Sequence, residues 1–208
     1  MPMTPREAAD NVVGRARSLL AASATPGLPG GSAADLRRLG LVMGVAALDT
    51  YMHALVHQRA YWNSPLPKGL AQLDVRFDDL VSLADSAVEA RRRGVDGRPR
   101  VAAKNVLQKR LLRETFQKFD SVSDALAMAG ASKVWAVVAT QMTPATTPAA
   151  IKARLDRIVG RRNQIVHEGD LQRQSRPRHP RLNGLTRAEA EDDVDYIAEV
   201  VHAIDAVV

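Results

Sequence analysis

The chain has 208 residues, of which 46% are hydrophobic and only 4% aromatic. This length allows one well-cored domain, and the shortage of alternating β-branched runs favours helix packed on helix, so we expect an all-α fold. With no cysteine in the chain, a disulfide framework, a thiol nucleophile and a cysteine-ligated metal are excluded. The formal net charge of +6 is compatible with a nucleic-acid partner, but it is equally compatible with a basic soluble surface.

The N-terminal sequence MPMTPREAAD lacks the basic start and apolar core of a signal peptide. No uninterrupted apolar run approaches the roughly 20 residues that span a bilayer. We therefore expect a cytoplasmic protein that does not bind a membrane.

The first 59 residues predict two helices of different kinds. Residues 5–22 form the first helix, with Thr4 as its N-cap and Glu7 at the capping-box position. The Gly/Pro-rich stretch ATPGLPGG ends it. We therefore assign residues 1–31 to an N-terminal helix with a linker, and residues 32–208 to the main helical domain. Two apolar seams between Ser32 and about Arg59 predict a central, heavily buried helix.

The middle of the chain predicts further, shorter helices. Their expected bounds are Phe77 to about Arg93, Pro99 to about Phe119, a short helix capped by Ser121 or Ser123, and SKVWAVVA. The first of these carries apolar side chains that we expect to face the core, namely Leu80, Val81, Ala84 and Val88.

The last part of the chain predicts two well-marked helices. Thr147 caps the first, Pro148 occupies its first position and Gly169 can end it. Thr186 caps the second, and Glu189 completes a capping box. The basic stretch LQRQSRPRHPRLNG connects them.

The first of these two helices carries a charged residue in its apolar seam. The seam consists of Ile151, Leu155, Ile158, Ile165 and Gly169. Arg162 occupies the position between Ile158 and Ile165 that should continue it. Burying an ion costs several kcal/mol unless a partner compensates it, so Arg162 needs either a structural partner or a chemical reason to be there.

The string RRNQIVHEGD contains the pattern R-N-x-x-x-H on a helix, and the upstream helix reads ALDTYMHALV. Together they resemble the RiboL-PSP-HEPN branch of the HEPN superfamily over about residues 32–208. The resemblance implies a single-domain, HEPN-like helical bundle with additional short helices. It also implies a metal-independent endoribonuclease without cofactors, acting as a homodimer whose two motifs meet at the interface. Its biological setting would be that of a toxin or phage-defence effector, with RNA as substrate and an antitoxin or regulatory protein as a further partner.

The resemblance implies roles for individual residues. His167 would be the general base that activates a 2′-hydroxyl, because histidine changes its charge nearest to neutral pH. Arg162 would clamp the phosphate, and Asn163 would orient the imidazole or donate to a phosphate oxygen. Arg161 would add a second phosphate contact.

Two basic loops are candidate contacts to the RNA backbone, RRRGVDGRPR and QRQSRPRHPR. The candidate RNA-binding residues are Arg173, Arg176 and Arg178 in the second loop, together with Arg161 of the motif. Mobile, solvated loops are the alternative interpretation of both segments.

Helix geometry complicates this mechanism. At 100° per residue, Arg162 and His167 leave the helix about 140° apart. We expect the helix to unwind near His167 and a second copy to supply the complementary group. We also expect Asp49 of the upstream helix to pair with Arg162 and account for the charge in the seam.

Three alternatives remain open from sequence. In the first, Arg162 forms an ordinary structural ion pair and His167 is an ordinary histidine on the surface at the helix end. The second is a metal site along the stripe Asp49, His53 and His57, although we expect no metal. The third is a non-catalytic HEPN-like dimer that binds RNA or another protein.

Overall fold

A computed structural model describes residues 3–59, 66–94, 99–172, 179 and 181–208 of the chain. Across these residues the protein is a single all-α domain of nine helices without a strand. The helices are α1 (Pro5–Ala22), α2 (Gly30–Arg59), α3 (Lys68–Ala71), α4 (Phe77–Arg92), α5 (Pro99–Leu111), α6 (Phe119–Met128), α7 (Trp135–Gln141), α8 (Pro148–Glu168) and α9 (Arg187–Asp205). An isolated antiparallel bridge joins Leu171 to Leu182, which both lie in the connection between α8 and α9.

The central helix of the bundle is α2, as its two apolar seams predict. It packs on α1, α9, α8 and α6, and Leu41, Val45, Leu48 and Met52 are fully buried along it. Its length and hydropathy would suffice to cross a membrane, but 56% of its most apolar stretch is buried inside the protein. The apolar composition of α2 is therefore accounted for by its place in the core.

The first helix lies against α2 and α9 and closes one side of the bundle. Its buried side chains include Val13, Ala16 and Leu20. The backbones of α2 and α9 approach closely, since a Cβ atom on Gly44 would lie 2.8 Å from Cγ2 of Val194.

The helix ends with local capping signals are confirmed. The Thr4 and Glu7 capping box starts α1, and the Thr186 and Glu189 capping box starts α9. The Thr147 side chain accepts the backbone N–H of Ala150 at the start of α8. Gly169 ends α8 in the left-handed conformation, with φ at 61°.

Helix ends fixed by distant residues were predicted wrongly. The helix expected to run to about Phe119 ends at Leu111, and Phe119 instead begins α6. Neither Ser121 nor Ser123 caps α6. Its first backbone N–H, that of Phe119, donates to Asp156 Oδ1 on α8 at 3.2 Å, so the cap comes from 37 residues along the chain. The short helix α3 was not anticipated.

The prediction that α4 turns its apolar side chains to the core is also wrong. None of its residues is buried, and it packs mainly on α5. The amphipathic pattern predicts the helix correctly but leaves one apolar face uncovered by the described part of the chain.

Candidate functional site

The motif lies in the second half of α8. Ile151, Leu155 and Ile158 anchor the first half of this helix in the core. The helix remains regular through Glu168. Unwinding near His167 is therefore not observed, and Arg162 and His167 leave the helix on different sides, about 7.5 Å apart along its axis.

Arg162 is partly buried and has no counter-ion among the residues that the structure describes. Its Nη1 donates to Oδ1 of the neighbouring Asn163 at 3.0 Å. Its Nε is buried and has no hydrogen-bond partner among the described residues. Within the same residues, no carboxylate forms an ion pair with Arg162. A positive charge is thus held in an apolar seam, and no described carboxylate neutralises it.

The other arginines of α8 are all neutralised. Their ion pairs are Arg154 Nη2 with Asp192 Oδ2 at 2.6 Å, Arg157 Nη2 with Asp193 Oδ1 at 2.5 Å, and Arg161 Nη2 with Asp170 Oδ2 at 2.9 Å. Arg162 therefore differs from the other three arginines of this helix, each of which has a carboxylate partner.

Arg161 belongs to a buried network that holds the end of the motif helix. Asp170 is 0% exposed and accepts from Arg161 and from Arg38 Nε, the latter at 2.5 Å. Asn183 Nδ2 donates to Asp170 Oδ1 at 3.2 Å, and Arg161 Nη2 also donates to the Gly184 carbonyl at 3.0 Å. The guanidinium of Arg161 is thus engaged within the fold, and its expected phosphate contact stays a prediction.

Sequence reasoning missed Asp170 and Arg38 as parts of this network. Asp170 adopts a positive φ of 59° just after the helix-ending glycine. The sequence indicates a turn at this point. It does not indicate the ion pair, because Arg38 lies 132 residues away.

Asn163 and His167 share one face of α8, four residues apart. Asn163 contacts Arg162 rather than the imidazole, since its Oδ1 accepts from the guanidinium. His167 lies exposed in the last turn of the helix. Among the described residues no hydrogen bond orients the His167 ring.

The expected ion pair between Asp49 and Arg162 is not formed. Asp49 Oδ1 instead accepts the backbone N–H of Phe116 at 2.6 Å, and its Oδ2 lies 3.5 Å from Gln117 Nε2. Asp49 therefore caps the turn between α5 and α6. The carboxylate is used to satisfy a backbone donor, which sequence spacing alone does not show.

The stripe of Asp49, His53 and His57 borders a cleft of about 380 Å³. His53 Nε2 lies 3.7 Å from Asp49 Oδ1, and the His53 ring packs on Phe116 with centroids 4.9 Å apart. No group of three or more acidic or histidine side chains in the described ranges could hold a metal ion. The contacts with Phe116 and Asp49 account for the position of the His53 ring.

Tyr51 faces the core rather than a cleft. It is fully buried, and its hydroxyl donates to Asp205 Oδ1 at 3.1 Å. Burial, followed by the negative charge of Asp205, raises the pKa of Tyr51 above its ordinary value.

A larger cleft of about 520 Å³ lies beside α8, between Gly160 and Gln164 on one side and Gly184 and Leu185 on the other. The basic side chains that border it, Arg157 and Arg161, are paired with carboxylates. Its other charged lining residues are acidic, namely Asp156, Glu189, Asp192 and Asp193. Among the described arginines of α8, the positive charge without a carboxylate partner is therefore at Arg162 and not in this cleft.

The expected RNA-contacting residues Arg173, Arg176 and Arg178 lie outside the described residues, as do positions 95–98 of the other basic loop.

Comparison with known proteins supports the resemblance. No curated protein and no solved structure matches the chain. The model of the family described as RiboL-PSP-HEPN matches residues 15–208. HEPN domains are all-α, are often ribonucleases, and commonly bind RNA and dimerise, which supports a nuclease or RNA-related function in general terms. Because the match spans nearly all of the chain, this protein belongs to the RiboL-PSP-HEPN family.

Proposed function

We propose that this protein is a metal-independent endoribonuclease of HEPN type, acting in the cytoplasm as a toxin or phage-defence effector. The observation that carries the proposal is the uncompensated guanidinium of Arg162, the one α8 arginine for which the described residues provide no carboxylate. A cation kept unpaired at a stability cost is what an anionic substrate group requires. An exposed histidine lies on the same helix.

The proposed reaction uses these two side chains on adjacent groups of the RNA. The imidazole of His167 takes the proton of a 2′-hydroxyl, and the 2′-oxygen attacks the adjacent phosphorus. The bond to the 5′-oxygen breaks, which leaves a 2′,3′-cyclic phosphate and, after protonation of the leaving oxygen, a 5′-hydroxyl end. Arg162 neutralises the additional charge on the phosphorane. The hydrogen bond to Asn163 fixes one edge of the guanidinium and leaves other N–H groups available.

RNA recognition and assembly complete the proposal. Arg173, Arg176 and Arg178 contact the phosphate backbone, and Arg161 contributes if its contact with Asp170 is exchanged for RNA. Two copies form a homodimer with both motifs near the two-fold axis. An antitoxin or other regulatory protein restrains the nuclease.

The central experiment compares wild type, His167→Ala and His202→Ala on total RNA in EDTA. The last variant is a control, because His202 is also surface-exposed but lies on α9 against Asp10. Replacing a positioned general base should lower the cleavage rate by about 10²–10⁴, while the control should cleave like wild type. DNA should not be cleaved, because it lacks the 2′-hydroxyl. Unchanged cleavage by His167→Ala, or loss of wild-type cleavage in EDTA, would exclude this mechanism.

The second candidate function is a non-catalytic HEPN-like dimer that binds RNA or another protein. The favouring observation is that Asn163 bonds to Arg162 and not to His167, so no described residue orients the base. In this case wild type and His167→Ala would bind RNA equally well, and neither would cleave it.

A further inference from the structure

The exposed face of α4 carries an apolar seam that nothing in the described chain covers. Phe77, Val81, Ala84 and Val88 recur at the spacing of one helix face. Phe77, Val81 and Val88 are 79%, 42% and 51% exposed. The helix packs mainly on α5, and a neighbouring face of α4 that carries Leu80 and Leu83 shares an apolar cavity with Val106 and Leu107 of α5. Such a seam is typical of a helix that meets another helix.

The charges of α4 are distributed unevenly along its length. Acidic residues occupy its first turn, with Asp78 and Asp79, and basic residues its last turn, with Arg91 and Arg92. Within the described ranges, the ion-pair partner of Asp78 is the exposed Arg76. Arg91 and Arg92 have no ion-pair partner among the described residues. An antiparallel copy of the same helix therefore offers charges of the opposite sign at both ends.

We propose that α4 is a self-association surface, which pairs antiparallel with α4 of a second copy about a two-fold axis. Val81 of each copy then packs on Val88 of the other, because the helix midpoint lies between Ala84 and Asp85. Asp78 of each copy lies opposite the Arg92 end of the other. The contact is isologous, so each favourable pair occurs twice.

A second copy explains both features of the helix with one partner. The pair Val81 and Val88 and the charge reversal between the two helix ends are arranged about nearly the same midpoint of α4, which an unrelated partner would not require. Asp78 can exchange its exposed contact with Arg76 for one with Arg92 at little cost, because exposed ion pairs contribute little to stability.

This surface is separate from the motif on α8, with which α4 shares no main packing contact. One helix pair, about 24 Å long, gives a small interface, so the association is weak and depends on concentration. If the motif faces also pair, the α4 contact joins dimers into larger assemblies. The inference does not depend on RNA cleavage.

The first test measures the molar mass by light scattering over a wide range of protein concentration. The wild-type mass should rise with concentration. Val81→Lys and Val88→Lys should each weaken the association on the order of tenfold or more. Val137→Lys is the matched control, since Val137 on α7 is 51% exposed and should not change the association. Circular dichroism confirms that each variant retains its helices.

The second test exchanges the charges. Asp78→Arg and Arg92→Asp should each weaken self-association, and the double variant should restore it. Each single change also places an unfavourable charge at a helix end, and these two effects add in the double variant. Restored self-association would therefore come from the contact between copies. Asp85 would lie near its own mate at the axis, so Asp85→Asn should tighten the association.

A wild-type mass independent of concentration would overturn the proposal. Unchanged association in Val81→Lys and Val88→Lys, or a double charge variant that stays as weak as the single ones, would do the same. Weaker association of Asp85→Asn would exclude the antiparallel arrangement.

Discussion

Arg162 provides the sharpest test at the scale of single residues. Within the described part of the chain, its charge has no carboxylate partner and its Nε makes no hydrogen bond. Leucine would continue the seam of Ile158 and Ile165, and replacing a buried charge by an apolar group is often neutral or stabilising. We expect Arg162→Leu to melt at or above the wild-type temperature in calorimetry while RNA cleavage falls to background.

Two companion variants make the Arg162 result interpretable. Arg157→Leu should melt below wild type, because it leaves Asp193, 3% exposed, without its ion-pair partner. Arg162→Lys should be nearly inactive, because an ammonium lacks the planar two-point grip on phosphate. If Arg162→Leu melted as low as Arg157→Leu, or if Arg162→Lys cleaved RNA normally, Arg162 would be a structural residue.

Asp170 is predicted to be a major stabilising residue. Asp170 is 0% exposed, and its carboxylate balances the guanidinium groups of Arg38 and Arg161, whose side chains are only 9% and 16% exposed. Asn tolerates the left-handed backbone at this position. Asp170→Asn should therefore remove mainly the charge and lower the free energy of unfolding by about 3 kcal/mol in urea titration.

The matched control for Asp170 is an exposed aspartate that also pairs with an arginine. Asp195 and its partner Arg17 are 60% and 57% exposed, so Asp195→Asn should change stability by less than about 1 kcal/mol. Equal effects of the two substitutions would contradict the structural role of Asp170.

Among the residues of the site, the sequence predicted identities better than contacts. The inward position of Arg162 could be derived from the seam of one helix, because residues close in sequence define it. The partners of Asp49 and Arg161 could not, because Phe116 lies 67 residues from Asp49 and the Asp170 network reaches across 132 residues.

At the scale of helices, the predictions that depend on residues near in sequence are correct, and those that depend on distant residues are not. The ends of α1, α8 and α9 follow from capping side chains within a few residues. The start of α6 depends on Asp156 of another helix. The periodicity of α4 defines an apolar face but does not indicate what covers it, so its exposure could not be predicted.

The close approach of α2 and α9 predicts that a Gly→Ala substitution changes the free energy of unfolding in opposite directions at two glycines. Ala normally stabilises a helix interior relative to Gly by about 0.5–1 kcal/mol. At Gly44, however, a Cβ would lie 2.8 Å from Cγ2 of the buried Val194, and a β-branched side chain in the core cannot easily move away. We expect Gly44→Ala to destabilise the protein by about 1–3 kcal/mol.

The control is Gly14 on α1, where nothing lies within 4 Å of an added Cβ. Gly14→Ala should raise the stability by about 0.5–1 kcal/mol in the same urea titration. A stabilising effect at both positions would show that α2 and α9 are not in close contact at Gly44.

At the scale of the whole molecule, the regular geometry of α8 limits how a catalytic site can be assembled. The helix does not unwind at His167, so the directions of Arg162 and His167, about 140° apart, do not converge within one copy. In a two-fold dimer with α8 near the axis, Arg162 of one copy can face His167 of the other. We therefore expect each site to combine an arginine and a histidine from different copies.

Mixing two inactive variants tests this arrangement directly. Arg162→Leu and His167→Ala should each be inactive alone. After the two are co-refolded in equal amounts, half of the dimers contain one copy of each variant. Each of these dimers has one site with both side chains intact and one with neither, so about a quarter of the wild-type activity should return. The control mixes each variant with itself under the same conditions. No recovery in the mixture, with dimers shown by light scattering, would mean that each copy carries a complete site, and the side chains would then have to converge through a movement of the end of α8.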